Sequence, residues 1–165
     1  MATWQEINRD IQTRGPDVVR REKLVKLSNI TGRPLVVYAV EMFNLQKVVA
    51  AGGEQSISIV LSDVSGFTEA LRAINENEID VILHSPGGSP EATESIVSML
   101  RRRFESIRFI VPLVAKSAAT MMAMAGDEII LGDNAELGPT DPQMVINGIA
   151  SPAHAILQQF KEAKT

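Results

Sequence analysis

Asp80-Val81-Ile82-Leu83-His84-Ser85-Pro86-Gly87-Gly88-Ser89-Pro90 joins a strand, a sharp turn and a helix start without spare residues. The run Val81–Leu83 is apolar on both strand parities, and proline and glycine stop it, so it reads as a buried strand. Gly87 and Gly88 accept backbone angles that other residues resist and let a ligand approach the amides. A helix follows from about residue 91 to 104, with Ile96, Val97, Leu100 and Phe104 on its apolar side. The first N–H groups of that helix have no intrahelical partner. A turn of this kind is where α/β proteins place ligands, and its amides suit a carboxylate, a phosphate or a developing oxyanion. The same residues also serve as a plain structural turn. They match neither GxxxxGK[ST] nor GxGxxG, so nucleotide-binding motifs find no support.

The pattern repeats outward from this stretch. Residues 3–28 read as helical, with the intermittent stripe Trp4, Ile7, Ile11, Val18, Leu24 and Leu27 broken near Gly15-Pro16. The basic cluster Arg20-Arg21-Glu22-Lys23 reads as a solvated helix face. Thr31-Gly32-Arg33-Pro34 stops the helix, and Leu35–Val40 is a buried strand. Residues 41–55 are ambiguous, and Ser56–Ile59 suits a short strand. Asp63 or Ser65 suits the cap of a helix carrying Phe67, Ala70, Leu71 and Ile74. Phe109–Val114 is a third strand, Ala118–Ala125 a small-residue helix, Glu128–Leu131 a fourth strand, and 134–142 a loop or short strand. A last helix begins at Ala153 and reaches about Ala163. Strands alternating with helices mean β-α-β units, hence an α/β fold with a mainly parallel sheet.

Composition narrows the chemistry. The 165 residues suffice for one domain with its own core, 1–165, and the final helix has no stop signal, which leaves room for chain beyond Thr165. Sixteen basic against twenty acidic side chains, a net charge of -4, weigh against a nucleic-acid surface. There is no cysteine, which removes disulfides and thiolate chemistry, and two histidines, His84 and His154, are too few for a structural zinc site in cis. No metal and no cofactor is therefore expected. The N-terminus lacks a secretory apolar stretch, and no run of eighteen apolar residues occurs, so the chain is expected in the cytoplasm without a membrane span.

A second stretch is Lys116-Ser117-Ala118-Ala119-Thr120-Met121-Met122-Ala123-Met124-Ala125-Gly126-Asp127. Ser117 follows a buried strand and precedes a helix of small residues. A serine nucleophile needs such a strand-to-helix turn, with Oγ exposed and amides free beside it. A helix-capping serine needs the same position, and pattern alone leaves both readings open. The methionines at 121, 122 and 124 read as core packing.

Together these residues resemble the serine dehydrogenase proteinase family, itself similar to the signal peptide peptidases and to the proteolytic subunit of Clp protease. The resemblance is carried by Arg20-Arg21, Thr31-Gly32-Arg33, His84–Gly88, Ser117–Thr120, Ala125–Ile129 and Leu137-Gly138-Pro139-Thr140-Asp141-Pro142-Gln143. It implies a Clp-protease/crotonase-like spiral of β-β-α units, a nucleophile at Ser117, and an oxyanion hole from the amides of Gly88 and Ala118. Gly87, Ser89 and Lys116 would border the substrate. The partners implied are a peptide or protein substrate and further copies of the chain, as a trimer or larger ring.

Two departures stand out. Lys116 occupies a place where relatives more often carry an uncharged residue. Pro142 stands where a Clp-type histidine base would fall, so the resemblance to signal peptide peptidases implies a lysine base, Lys161 or Lys164, with His154 behind them. Lys116 itself is a poor base, because neighbours at a strand exit point in different directions. The reading is a serine peptidase of Ser-Lys type. Its alternatives are a non-catalytic oligomeric scaffold of the same fold and, third, a crotonase-like acyl-thioester enzyme.

Overall fold

Residues 3–141, 143–146 and 149–162 are described by a computed structural model. The N-terminal helical segment is two helices. The first, α1 (Trp4–Arg14), starts with a capping box between Thr3 and Glu6. Gly15, at φ 86°, breaks it, and Pro16 opens α2 (Pro16–Thr31), which ends on left-handed Gly32. The expected apolar stripe is not a core stripe. Trp4 is 73% exposed, Ile7, Ile11, Leu24 and Leu27 are partly buried, and the fully buried residue of the pair is Val19, with α1 packed on α2.

The main sheet has four parallel strands in the order β1-β2-β3-β5: β1 (Leu35–Ala39), β2 (Glu78–His84), β3 (Ser106–Val111) and β5 (Glu128–Leu131). The expected strand over Phe109–Val114 divides at Pro112 into β3 and a short β4 (Val114–Ala115), which leaves the main sheet and pairs in parallel with β6 (Glu136–Leu137). Proline lacks the amide that would continue a ladder. Between β1 and β2 lie α3 (Leu45–Ala50), a 3-10 turn at Gly53–Ile57 and α4 (Ser62–Leu71). The expected strand at 56–59 is thus mostly turn, with only Ile59 in a ladder, bridged to Gly88. Neither Asp63 nor Ser65 is the expected cap: Leu61 holds the cap position of α4 without a side-chain bond, and Asp63, inside the first turn, has its carboxylate accept from the Val60 amide at 2.9 Å and from the Tyr38 hydroxyl at 2.8 Å. Next come α5 (Pro90–Arg103) after β2 and α6 (Ala118–Met124) after β4. The chain then forms an antiparallel hairpin, β7 (Gln143–Ile146) and β8 (Ile149–Pro152), and α7 (Ala153–Glu162). No described helix is long and apolar enough to cross a membrane.

The repeating unit is visible in this order. A main-sheet strand is followed by a short second-layer strand and then a helix: β1, Ile59, α4; β2, Ser85–Gly88, α5; β3, β4, α6. Isolated parallel bridges Ile59–Gly88 and Ser85–Ala115 join the second layer across units. This is the spiral of β-β-α units that the family resemblance implied.

One face of the sheet carries the core. Ile79, Val81, Leu83, Ile107, Phe109 and Val111 meet Phe67 and Leu71 of α4, Ile96 and Leu100 of α5, and Met122 of α6. Each such side chain contributes roughly 1.5–3 kcal/mol by leaving water. The opposite face is different. Asp80, fully buried, accepts a two-pronged bond from Arg108 at 2.9 and 2.8 Å, and Val37 and Ile130 remain 41% and 40% exposed. Parallel sheets normally cover both faces.

Candidate active site

Two strand exits deliver two turns to one place. The Ser85 amide donates to Val114 O at 3.0 Å, and the Lys116 amide donates to Ser85 O at 3.1 Å. The turn after β2 is thereby laid beside the turn after β4. Within the first turn the Gly87 amide donates to Ser85 Oγ at 3.1 Å. Ile59 grips the loop on both sides of Gly88: its amide donates to Gly87 O, and its carbonyl accepts from Ser89 N, each at 2.8 Å. Gly88 therefore points its own amide away from Ile59. Among the described residues that amide has no acceptor.

The glycines are required by space as well as angle. A Cβ on Gly88, at φ 154°, would lie 2.3 Å from Ile59 N; one on Gly87, at φ 102°, would lie 2.6 Å from Lys116 O and 2.9 Å from Ser117 Cβ. Absent side chains let the loop press against the serine turn.

Ser117 has φ 51° and ψ -123°, and it is the one non-glycine residue of positive φ among those described. Such a conformation costs about 1–3 kcal/mol and survives only where its surroundings enforce it. Ser117 occupies the cap position of α6, yet its side chain makes no capping bond. The capping alternative therefore has no hydrogen bond behind it. Ala118 and Ala119, both buried, let α6 sit close beneath the turn. Among the described residues the Ala118 amide, first of its helix, has no acceptor.

These parts face a cleft of about 430 Å³ lined by Gly88, Pro90, Ser117, Ala118, Met121, Thr140 and Asp141. The far wall, Gly138–Asp141, is tied to α6 by the buried hydroxyl of Thr120. That oxygen lies 2.7 Å from Ala115 O and 3.1 Å from Gly138 O, and it accepts from Gly138 N at 3.1 Å. Met121 lies four residues after Ser117 on the helix and so shares its side. The methionines thus divide: Met122 is core, whereas Met121 and Met124 are 44% and 67% exposed. The reading of all three as core holds for Met122 alone.

The other candidates have separate occupations. Lys116 Nζ donates to Glu136 at 2.7 Å, which holds the Glu136 carboxyl below its ordinary pKa, and the Lys116 stem packs on Gly138. Ser89 caps α5, accepting from Ala92 N at 3.1 Å and donating to Glu91 at 2.7 Å. Lys161 lies on α7, whose main neighbour is β8, and His154 is exposed there. Among the described residues neither bonds to Ser117. Lys164 lies outside the described residues.

Sequence reasoning missed the lining by Pro90, Met121, Thr140 and Asp141. The signal was present for two of them: Gly138-Pro139-Thr140-Asp141-Pro142 punctuates a strand end just as Ser85–Pro90 does. Asp127 belongs to the frame and not to the cleft. It accepts from the Ile107 amide at 2.8 Å and from Arg101 at 3.0 and 2.8 Å.

Comparison with known proteins adds the following. The model of the ClpP-like SDH-type serine proteinase family matches residues 35–165. The uncharacterized protein MJ0137 of Methanocaldococcus jannaschii is 40% identical over 87 residues, which are 52% of this chain and 30% of that protein. The uncharacterized protein MJ1495 of the same organism is 36% identical over 103 residues, 62% of this chain and 34% of that protein. The match thus spans about a third of the length of these curated relatives. Among solved structures, the ClpP protease catalytic domain of Plasmodium falciparum is 19% identical with a TM-score of 0.43, over 66% of this chain and 59% of its own. A ClpP1 mutant of Listeria monocytogenes is 16% identical with a TM-score of 0.43, over 62% and 51%. With the family model covering every strand and the turn that carries Ser117, the chain belongs to the ClpP-like SDH-type serine proteinases.

Proposed function

We propose that residues 1–165 form a peptidase domain that cleaves peptide bonds by acyl transfer through Ser117. The base takes the proton of Ser117 Oγ, and the oxygen attacks the substrate carbonyl carbon. The oxyanion that forms is held by the amides of Gly88 and Ala118. The leaving amine takes the proton as the C–N bond breaks, and water then hydrolyses the acyl-serine by the same steps in reverse order. The observation that carries this reading is the strained turn at Ser117, φ 51°. A non-glycine residue held there, without a capping bond and beside two unbonded amides, fits a nucleophile better than a structural serine.

The base is assigned to Lys161 or Lys164, which the bond between Lys116 and Glu136 supports by occupying the nearer amine. The test is covalent labelling by a fluorophosphonate with the modified residue located by mass spectrometry. Labelling at Ser117, lost in Ser117→Ala, retained in Lys116→Ala and lost in either Lys161→Ala or Lys164→Ala, is the expected result. Labelling lost in Lys116→Ala alone would reassign the base, and a folded wild type that never reacts would remove the peptidase reading.

A further inference from the structure

A second cavity, of about 280 Å³, opens on the other flank of the glycine loop and is lined by Glu54, Ile57, Ser58, Pro86, Gly87 and Gly88. Gly88 lines both cavities. A peptide carbonyl held by the Gly88 amide is therefore held at a residue that borders both. Successive residues of an extended chain advance about 3.3 Å and alternate their side chains, so neighbouring residues of one peptide can enter the two cavities separately.

The second cavity has a distinct chemistry. It is lined by the loop Pro86–Gly88, by Ile57 and Ser58, and by one acidic residue, the exposed Glu54. Glu54 sits in the 3-10 turn at Gly53–Ile57, whose carbonyl at Glu54 is closed off by Ser58 Oγ at 2.8 Å. Among the described residues the Glu54 side chain has neither a hydrogen bond nor an ion pair. The nearest basic residue in sequence, Lys47, faces Glu41 at 3.9 Å. Asp141 places a further acidic side chain on the first cavity. A cavity that sets apolar Ile57 and Pro86 beside one exposed carboxylate matches a side chain with a long aliphatic stem and a cationic head.

We propose that this cavity is a substrate subsite for lysine or arginine, and that Glu54 is its specificity-determining residue. The proposal rests on the reading of Ser117 as nucleophile only for the word substrate; the recognition itself is a binding property. Its test therefore uses binding. In the Ser117→Ala protein, anisotropy is measured with fluorescein-labelled octapeptides that carry lysine, norleucine or glutamate at one of the four central positions. At one position lysine should bind more tightly than norleucine by about fivefold, the upper range for an exposed ion pair, and glutamate more weakly. The preference should vanish in Glu54→Gln, reverse in Glu54→Lys, and weaken at 0.5 M salt, where screening is strong. Equal binding of all three peptides at every position, or a lysine preference that survives Glu54→Gln, overturns the subsite. Turnover of the lysine peptide by the wild type is measured alongside. A Glu54-dependent preference without turnover sinks the peptidase reading and leaves the lysine-binding subsite standing.

Discussion

At the scale of the residue, Ser117 concentrates the relation between stability and function. Its backbone angles are ones an L-residue adopts only under constraint, whereas glycine adopts them freely. Ser117→Gly should therefore be more stable than Ser117→Ala by about 1 kcal/mol in urea unfolding, the relief of strain exceeding glycine's entropic penalty. Equal stability of the two would show that the turn is not strained. None of this was legible in the sequence. Serine is compatible with a helix cap and with an exposed turn, and the choice depends on a φ angle that only the fold supplies, where Gly87 packs against Ser117 from a turn in another unit. The glycines were easier to place, because a Gly-Gly pair at a strand end marks a sharp turn whether or not that turn binds a ligand. Lys116 was half legible. Its neighbour relation to Ser117 argued against a role as base, but its partner Glu136 lies on a strand whose register only the fold supplies.

At the scale of the element, the helices and strands are locked by single polar side chains at their ends. Asp127, between α6 and β5, binds the Ile107 amide of β3 and the Arg101 guanidinium of α5. These bonds, the amide first, hold its carboxyl below the ordinary aspartate pKa. A carboxyl depressed in the folded state adds stability above its unfolded pKa, and that stability disappears as pH falls through the folded value. The stability difference between wild type and Asp127→Asn should thus be constant at neutral pH and shrink below about pH 4, the ordinary aspartate range. Denaturant unfolding at a series of pH values reads it directly; a difference that grows on acidification would contradict the assignment. Thr120 plays the corresponding part in the cleft. Thr120→Val removes the hydroxyl that ties α6 to the Gly138–Asp141 wall and should lose about 1–3 kcal/mol. The KM for a cleaved peptide should rise more than kcat falls, and Thr120→Ser should restore both. A fall in kcat alone would place Thr120 with Ser117 and not with the wall. Elements of this kind were legible where an apolar run met proline or glycine. The strand expected over Phe109–Val114 was drawn too long, because the apolar residues of β3 and β4 read as one run although Pro112 ends the first ladder.

At the scale of the whole molecule, the surface is unevenly finished. Phe43, Leu45 and Val49 are 66%, 74% and 66% exposed, Leu61 and Met124 63% and 67%, and the second face of the sheet is only partly covered. Single exposed apolar residues are ordinary, but this many large ones, together with a half-covered parallel sheet, favour association. Light scattering of the protein at high micromolar concentration should return a trimer or a larger closed ring. A monomer would show that these residues are simply solvated. The triple arginine at the end of α5 is exposed, yet two of its members bind within the chain. Arg101 binds Asp127 and the Ala125 carbonyl at 2.5 Å, and Arg103 binds the Ile74 carbonyl. No pattern in the sequence marks the carbonyls of Ala125 and Ile74 that receive them, since only the fold brings those turns beside α5.

The order of the main sheet, β1-β2-β3-β5, is also the order of synthesis. Each strand joins the edge left by the one before it, so the nascent chain can lay down its sheet progressively as it leaves the ribosome. The cleft does not follow the same schedule. Its glycine loop and Ser117 emerge early, but the wall that encloses them ends at Asp141 and is held through Gly138. A ribosome-bound chain thus carries the Ser117 hydroxyl on an open ledge, and enclosure comes only after β6 has emerged.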